Sequence, residues 1–422
     1  MSGAEPLQAP EAGRSSLLRR AAIDISPLRD SQPFRRLWLG QAVSYFGSMI
    51  SVVAIPYQVY SLTGSPLLVG LLGLAALVPL FTVPIIGGAI ADAVDRRRLL
   101  LVSQLGLITA TAANLANALL PSPRVWVPFA VTVLGTSCFS LERPASRAMI
   151  PRLVGEDRIA QASALQSVYS SFGAVAGPAL GGVLISVIGV SGAYAVDLGS
   201  YSASLLAVWL LPRIPPVGDV DEPGLASILN GLRYVRGNRV VLGVLTIDSV
   251  AMVFGMPSAL FPALGDELGG GARTVGLLYA APWAGALVAL LVSGLATHGR
   301  RQGLGVFVAI LCWGVAIGSV GIVDSLPLVL LLLAAAGASD AVSAVLRSAI
   351  TLAATPDAMR GRISGIEFAQ VAGTPHLGNL EAGVVASLVS VRFSIASGGA
   401  ACIVGAIAVA ALIPELVRYR RP

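Results

Sequence analysis

Four ionisable side chains, Asp248, Asp340, Arg347 and Glu367, lie within stretches of this chain that are otherwise almost wholly apolar. A charge at the middle of a bilayer costs several kcal/mol and is seldom kept without a partner or a use, so proton-coupling chemistry is to be sought at these positions. Asp340 falls about thirteen residues into its apolar stretch, and Arg347 stands seven residues further on, two turns along the same helix face. Glu367 enters the next stretch at a depth similar to that of Arg347, and Asp248 lies about a third of the way into another. Asp340 or Asp248 can take up and release a proton, with Arg347 as the charge that tunes the acid's affinity. The competing reading is a buried ion pair between the stretches of Arg347 and Glu367 that never titrates.

The remaining ionisable residues carry weaker signals. Glu142 and Arg143 are adjacent near one end of an apolar stretch, where long side chains snorkel to the interface, so they are expected to be anchors. Asp197 and Glu381 fall near the ends of theirs and are expected to be wet. Two isolated histidines, His298 and His376, make no metal site. Cys138, Cys312 and Cys402 stand singly in apolar segments, without metal or disulfide spacing, and are expected to be packing residues. No Walker loop, nucleophile elbow or Rossmann glycine pattern occurs, so neither an enzyme nor ATP-driven transport is expected, and no cofactor or metal.

These residues must be positioned by membrane helices. The chain has 422 residues, 55% of them hydrophobic and only 12% charged, with a mean hydropathy of +0.81; soluble domains carry about a quarter charged residues. The net charge of +6 is no sign of nucleic-acid binding, because all 28 basic residues are Arg and most sit in short runs between apolar stretches. A span needs about 20 mainly apolar residues. Breaking the chain at charges, Pro and Gly yields 36–62, 66–91, 99–120, 125–146, 160–187 and 193–211, then 240–263, 274–296, 303–323, 327–350, 363–389 and 393–414. Twelve spans put both ends on one side. Arg124, Arg273 and Arg392 alone fall in the loops of the other side, and apart from the in-span Arg143 and Arg347 all other arginines are on the side of the ends, which predicts cytoplasmic termini in the plasma membrane.

The longest connection, 212–239, starts with the breaker-rich PRIPPVGDVDEPG and continues as LASILNGLRYVRGN, which reads as an amphipathic surface helix. It divides the chain into a tail (1–33), a six-helix bundle (34–211), the linker (212–239), a second bundle (240–414) and a short tail (415–422). GAIADAVDRRR pairs with GLATHGRRQG, and RAMIPRLV with RSAITLAA, each at an offset near 200 residues, as parallel halves would. In the fifth span, GAVAGPALGG places Gly173, Gly177 and Gly181 on one helix face, with Pro178 removing a backbone donor and Gly182 beside them. That face admits a close neighbour and bends. A degraded copy, GTPHLGN at 373–379, lies in the eleventh span.

GxxxGPxxGG resembles the fifth-helix motif of proton-driven exporters of the major facilitator superfamily. Gly88, Asp92 and the Arg96, Arg97, Arg98 run resemble that superfamily's first signature, although Ala93 stands where an Arg is usual and Asp95 where a Gly is usual. PFRRLWLGQAVSYFG, GLRYVRGNRVV, LFPALGDELGGGARTVGLLYAAPWAGAL and ATPDAMRGRISGI are together similar to its enterobactin-exporter branch. The resemblance implies an all-α membrane protein with twelve transmembrane helices in two pseudo-symmetric six-helix bundles. It implies that Gly88, Asp92, Arg96 and Arg97 act as a conformational latch, Asp92 docking at the start of the eleventh helix near Gly361, and that Gly173 to Gly182 act as a hinge. It also implies export of a small organic molecule in exchange for protons by a monomer in the bilayer. The substrate expected is a siderophore or amphipathic metabolite, the alternatives being a broad multidrug pump and a sensor that keeps the fold without transporting.

Overall fold

Apolar runs satisfy their backbone polar groups in a bilayer as helices, and the expected spans are helical in the computed structural model of the chain, which describes residues 24–212, 225–296 and 301–420. The expected span 240–263 is the exception: its helix ends at Phe254, and the chain resumes as the short helical segments Ser258–Leu260 and Phe261–Glu267. Residues 84–93, 225–228 and 291–296 are described by their backbone alone. The long helices are α1 (Gln32–Thr63), α2 (Pro66–Ala93), α3 (Arg96–Ala118), α4 (Trp126–Val154), α5 (Ile159–Trp209) and α6 (Leu225–Gly237), then α7 (Arg239–Phe254), α8 (Gly271–Ala296), α9 (Gln302–Val320), α10 (Leu326–Ala354), α11 (Asp357–Leu388) and α12 (Val391–Leu412). Polar side chains cap their starts: Ser31, Asp95, Asn238 and Ser390 accept from backbone N–H groups of α1, α3, α7 and α12.

The 51 residues of α5 would reach about 76 Å if straight, over twice the apolar thickness of a bilayer. It turns back at Gly189, whose φ of 74° and ψ of 175° suit glycine alone, and so crosses twice. With its two limbs, α1–α4 and α7–α12 make twelve crossings, and α6 packs on α11, with Gly231 against Ile366. Among the described residues, nine segments are apolar enough to cross a membrane on composition alone, the doubled α5 being one of them. The two crossings that fall short, α4 and α11, carry polar groups of the central cavity.

Helices α1–α5 form one half and α7–α12 the other, and the halves meet along two seams. In the first, α5 lies on α8: a Cβ added to Gly276 would stand 2.6 Å from the Pro178 carbonyl oxygen and 2.7 Å from the Gly182 Cα, so the backbones touch. Arg273 Nε donates to Ser186 Oγ across this seam at 2.8 Å. In the second, α2 lies on α11, with Gly70 and Gly73 against Asn379, Gly383 and His376. The pairs α5–α8 and α11–α2 exchange under the repeat seen in the sequence.

Both seams lie at the face opposite the described ends of the chain. There the apolar clusters are shared, Ile50, Val53 and Ile185 with Val275 in one, Val59 and Val69 with Ala259 in another. Toward the terminal face each cluster belongs to one half: Leu37, Leu99 and Met149 in the first, Val235, Val241 and Ile363 in the second. The molecule is closed at one face and parted at the other.

The ends are tied down further than the tails expected from sequence. Ser26–Asp30 is helical, Asp30 pairs with Arg158 at 2.6 Å, and Ser31 Oγ donates to the Leu153 carbonyl. Pro414–Arg418 forms a last turn in which Glu415 pairs with Arg239 at 3.3 Å. Residues 1–23, the linker stretch 213–224 and residues 421–422 lie outside the described residues. Of the three cysteines, Cys138 and Cys402 are packed, whereas Cys312 is exposed on α9.

The α5–α8 contact leaves no room for a side chain. The substitution Gly276→Val is expected to wedge the seam apart and favour the arrangement closed at the terminal face. Spin labels at Arg152 and Arg360, read by double electron–electron resonance, should then show a shorter population; an unchanged distribution would refute this role for the seam.

Candidate functional site

Between the halves lies a cavity of about 790 Å³. Its wall is mostly apolar, with Met49, Phe139, Tyr201, Tyr279 and Phe368 among its side chains, and α4 adds Arg143 and Arg147. Cavities of this size suit a small organic molecule. The closed end is braced by Asn379 of α11, whose Oδ1 accepts from Ser258 Oγ at 2.7 Å and from the Ala259 N–H at 2.9 Å, while the Tyr279 hydroxyl donates to the Ser258 carbonyl.

Asp197, expected to be wet, is 0% exposed. Ser51 Oγ on α1 donates to its Oδ2, and Ser200 Oγ stands 3.3 Å from its Oδ1. Gly47 makes the approach possible, since a Cβ there would stand 2.6 Å from Asp197 Oδ1. No ion pair reaches this carboxylate among the described residues. Glu142 likewise turns into the bundle, where its Oε1 accepts from Gln104 Nε2 at 3.0 Å.

The correction for Arg143 is larger. Instead of snorkelling toward the terminal face, its guanidinium lies over the ring of Phe139, one turn back toward the membrane centre, at 5.6 Å from the centroid. Its other neighbour is Phe368 of the opposite half, at 5.4 Å. Helical side chains lean toward their helix N-terminus, which for α4 is the closed face, so backbone direction already biases Arg143 inward.

In the second half, Arg347 is the centre of a charge cluster. It pairs with Asp248 of α7, stands 3.4 Å from Asp340, and donates to Ser343 Oγ at 3.1 Å. The side chains of Arg347 and Asp248 are 8% and 4% exposed, and that of Asp340 is 37% exposed, so Asp340 is the member that water reaches. Helix α11 contributes Gln370, whose Nε2 donates to Asp248 Oδ2 and to the Leu245 carbonyl, both at 2.9 Å. The structure therefore joins three of the four residues singled out from sequence. Glu367 makes no ion pair with Arg347 among the described residues, so the pair links α10 to α7 and not to α11.

The latch residues divide. The surroundings of Gly88 and the side chain of Asp92 lie outside what is described. Arg97 Nη2 donates to the carbonyl of Trp209, the last residue of α5, and Arg96 Nη1 to that of Ala148 at 3.4 Å. Both serve carbonyls near helix C-termini of their own half, where a cation is favourable. Within GAVAGPALGG, Gly173, Gly177 and Gly181 face Tyr45, Met49 and Ile50 of α1, while Gly182 and the Pro178 carbonyl face α8. The stripe thus fastens its own half, and only its far end meets the other.

Sequence reasoning missed Arg147 and misjudged Asp197 and Arg143. The available signals were the i, i+4 spacing of the two arginines, which puts them on one face, and the small residues Gly47, Ser51 and Ser200 around the acid.

Two halves of membrane helices around a cavity that opens to one face define a membrane transporter. A family model described as transmembrane secretion effector matches residues 22–417, and the chain belongs to that family, within the major facilitator superfamily. It is 30% identical over 400 residues to the enterobactin exporter of Shigella boydii serotype 4, covering 94% of this chain and 96% of that protein. The enterobactin exporter of Escherichia coli O81 matches at the same identity and coverage. In fold it is similar to a nucleoside transporter, with a TM-score of 0.72 at 12% identity over 90% of this chain and 100% of the other. A D-xylose-proton symporter gives a TM-score of 0.69 at 13% identity, over 91% and 98%. The protein is a multi-pass membrane protein and not an enzyme.

Removing one partner from a buried ion pair leaves the other uncompensated, at a cost of about 3–5 kcal/mol. Arg347→Gln is therefore expected to lower the thermal midpoint of the purified protein, and adding Asp248→Asn should restore part of the loss. A double variant no more stable than the single one would show that the pair does not hold α7 to α10.

Proposed function

We propose that this protein is a secondary active exporter that carries a small organic molecule out of the cell in exchange for protons. It works as a monomer in the plasma membrane, with both ends in the cytoplasm. The observation that carries the reading is the cavity closed at one face and open at the Arg-rich terminal face, where the positive-inside rule puts the cytoplasm. A substrate made inside the cell enters from that side, and exchange of the seams for contacts at the terminal face releases it outside.

Arg347, shared between two carboxylates, supports proton coupling. Asp248, sealed and held also by Gln370, is the fixed counter-ion; Asp340, partly exposed and at the longer distance, takes and releases the proton. One charge moved across 100 mV supplies about 2.3 kcal/mol, enough for appreciable accumulation. Asp92 docking on α11 once the terminal face closes, with Arg96 and Arg97 holding the loop, completes the cycle as a latch, and the Gly173 to Gly182 segment acts as its hinge. The relatives named enterobactin exporters favour a siderophore-like cargo. A broad multidrug pump is the second reading.

Reconstituted in proteoliposomes, the wild-type protein should transport substrate in response to an imposed pH gradient. Asp340→Asn should abolish that response while keeping substrate exchange without a gradient. Asp248→Asn, which strands Arg347, should reduce both. If neither substitution alters gradient-driven transport, the coupling assignment is wrong. A deletion strain grown in low iron should lose siderophore from its medium; unchanged secretion with raised sensitivity to unrelated drugs would favour the pump.

A further inference from the structure

The cavity is unevenly charged. Arg143 and Arg147 both line it and are exposed there, one helical turn apart on α4. Like charges at i, i+4 repel, and neither arginine has an ion pair or hydrogen bond among the described residues. The neighbouring acid, Glu142, is turned away to Gln104. Asp197, the only acid on the described wall, is wholly enclosed by its hydroxyl shell. The charge offered to a bound molecule is therefore positive.

The surroundings of these cations are aromatic. Phe139 and Phe368 flank the Arg143 guanidinium, and Tyr201 and Tyr279 complete a flat, apolar lining. From these facts we infer that Arg143 and Arg147 form an anion-binding subsite, and that the cargo is an amphipathic organic anion with an aromatic body. Its carboxylate, sulfonate, phosphate or phenolate group meets the two guanidinium groups. The inference rests on the exporter reading and adds the chemical class of the cargo. Arginine's planar fork suits such oxyanions, and its charge is permanent, so it gives the site a fixed sign. Because Phe368 belongs to the other half, a ligand seated against Arg143 touches both halves at once. Lipophilic cations, the usual cargo of a broad pump, would meet two uncompensated like charges.

The test uses the full chain in phosphatidylcholine nanodiscs, with two probes of one shape and opposite charge, 1-pyrenesulfonate and 1-pyrenemethylammonium, read by fluorescence anisotropy. The wild type should bind the sulfonate at least about tenfold more tightly than the ammonium, since a lost charge-assisted contact is worth about that factor. Arg143→Gln and Arg147→Gln should each weaken sulfonate binding by about tenfold without weakening the ammonium, and Arg147→Lys should retain most of it. Equal binding of both probes by the wild type overturns the proposal, and this comparison needs no variant to fold. Unchanged sulfonate affinity in variants with the wild-type thermal midpoint overturns it as well. Repeating the titration in phosphatidylglycerol nanodiscs separates the sources of anion: loss of sulfonate binding there would assign the arginines to a lipid headgroup and refute a cargo site. No gradient is present in this assay, so failure of proton-driven export would sink the exporter reading alone and leave the anion site standing.

Discussion

Two helix backbones touch at Gly182 and Gly276 with no side chain between them, and the closure of the whole molecule at one face depends on that contact. Without a hydrophobic drive between helices in lipid, association rests on close packing, and small residues allow the closest approach. The α2–α11 seam repeats the arrangement through Gly70, Gly73 and Gly383. Two thin seams of this kind make a joint that can open, because little interdigitated side-chain volume has to be withdrawn. They also concentrate the inter-half contact at one face, which leaves the cavity and its opening at the other.

Electrostatics divides the two halves as cleanly as packing joins them. The second half internalises its charge: Arg347 is satisfied by Asp248 and approached by the partly exposed Asp340. The first half does the reverse. Near the cavity it conceals two acids, Asp197 beneath Ser51 and Glu142 against Gln104, and leaves Arg143 and Arg147 without an ion pair among the described residues. A membrane protein keeps unpaired charge within its span only where water or a ligand meets it, which fits the position of Arg143 and Arg147 on the cavity wall. Helix α11 touches both systems, with Gln370 on Asp248 and Phe368, two residues earlier, on Arg143.

Legibility followed the physics of each feature. The spans were readable because twenty apolar residues in a row have few other uses. The association of Arg347 with an acid was readable for Asp340, since seven residues along a helix return to the same face, and Asp248 was offered beside it as the alternative partner, without a geometric reason to choose between them. The rival pairing of Arg347 with Glu367 is absent among the described residues, because depth alone does not say which way a side chain points around the helix axis. Asp197 was misread because its neighbours Ser51 and Gly47 come from a helix about 150 residues earlier, and only Ser200, one turn on, marks the hydroxyl shell beside the acid itself.

By itself the sequence determined the apolar spans, the two-half repeat and the small-residue faces, because each follows from local composition and periodicity. Only the tertiary structure decided which face is closed, which glycines meet the other half, and whether a charge is paired, sheltered or bare. Those outcomes depend on rotation about helix axes and on contacts between segments far apart in the chain. Arg143 shows the difference: as part of a sequence it is a long cation near a span's end, and in the folded bundle it stands between two aromatic rings from opposite halves, facing the cavity.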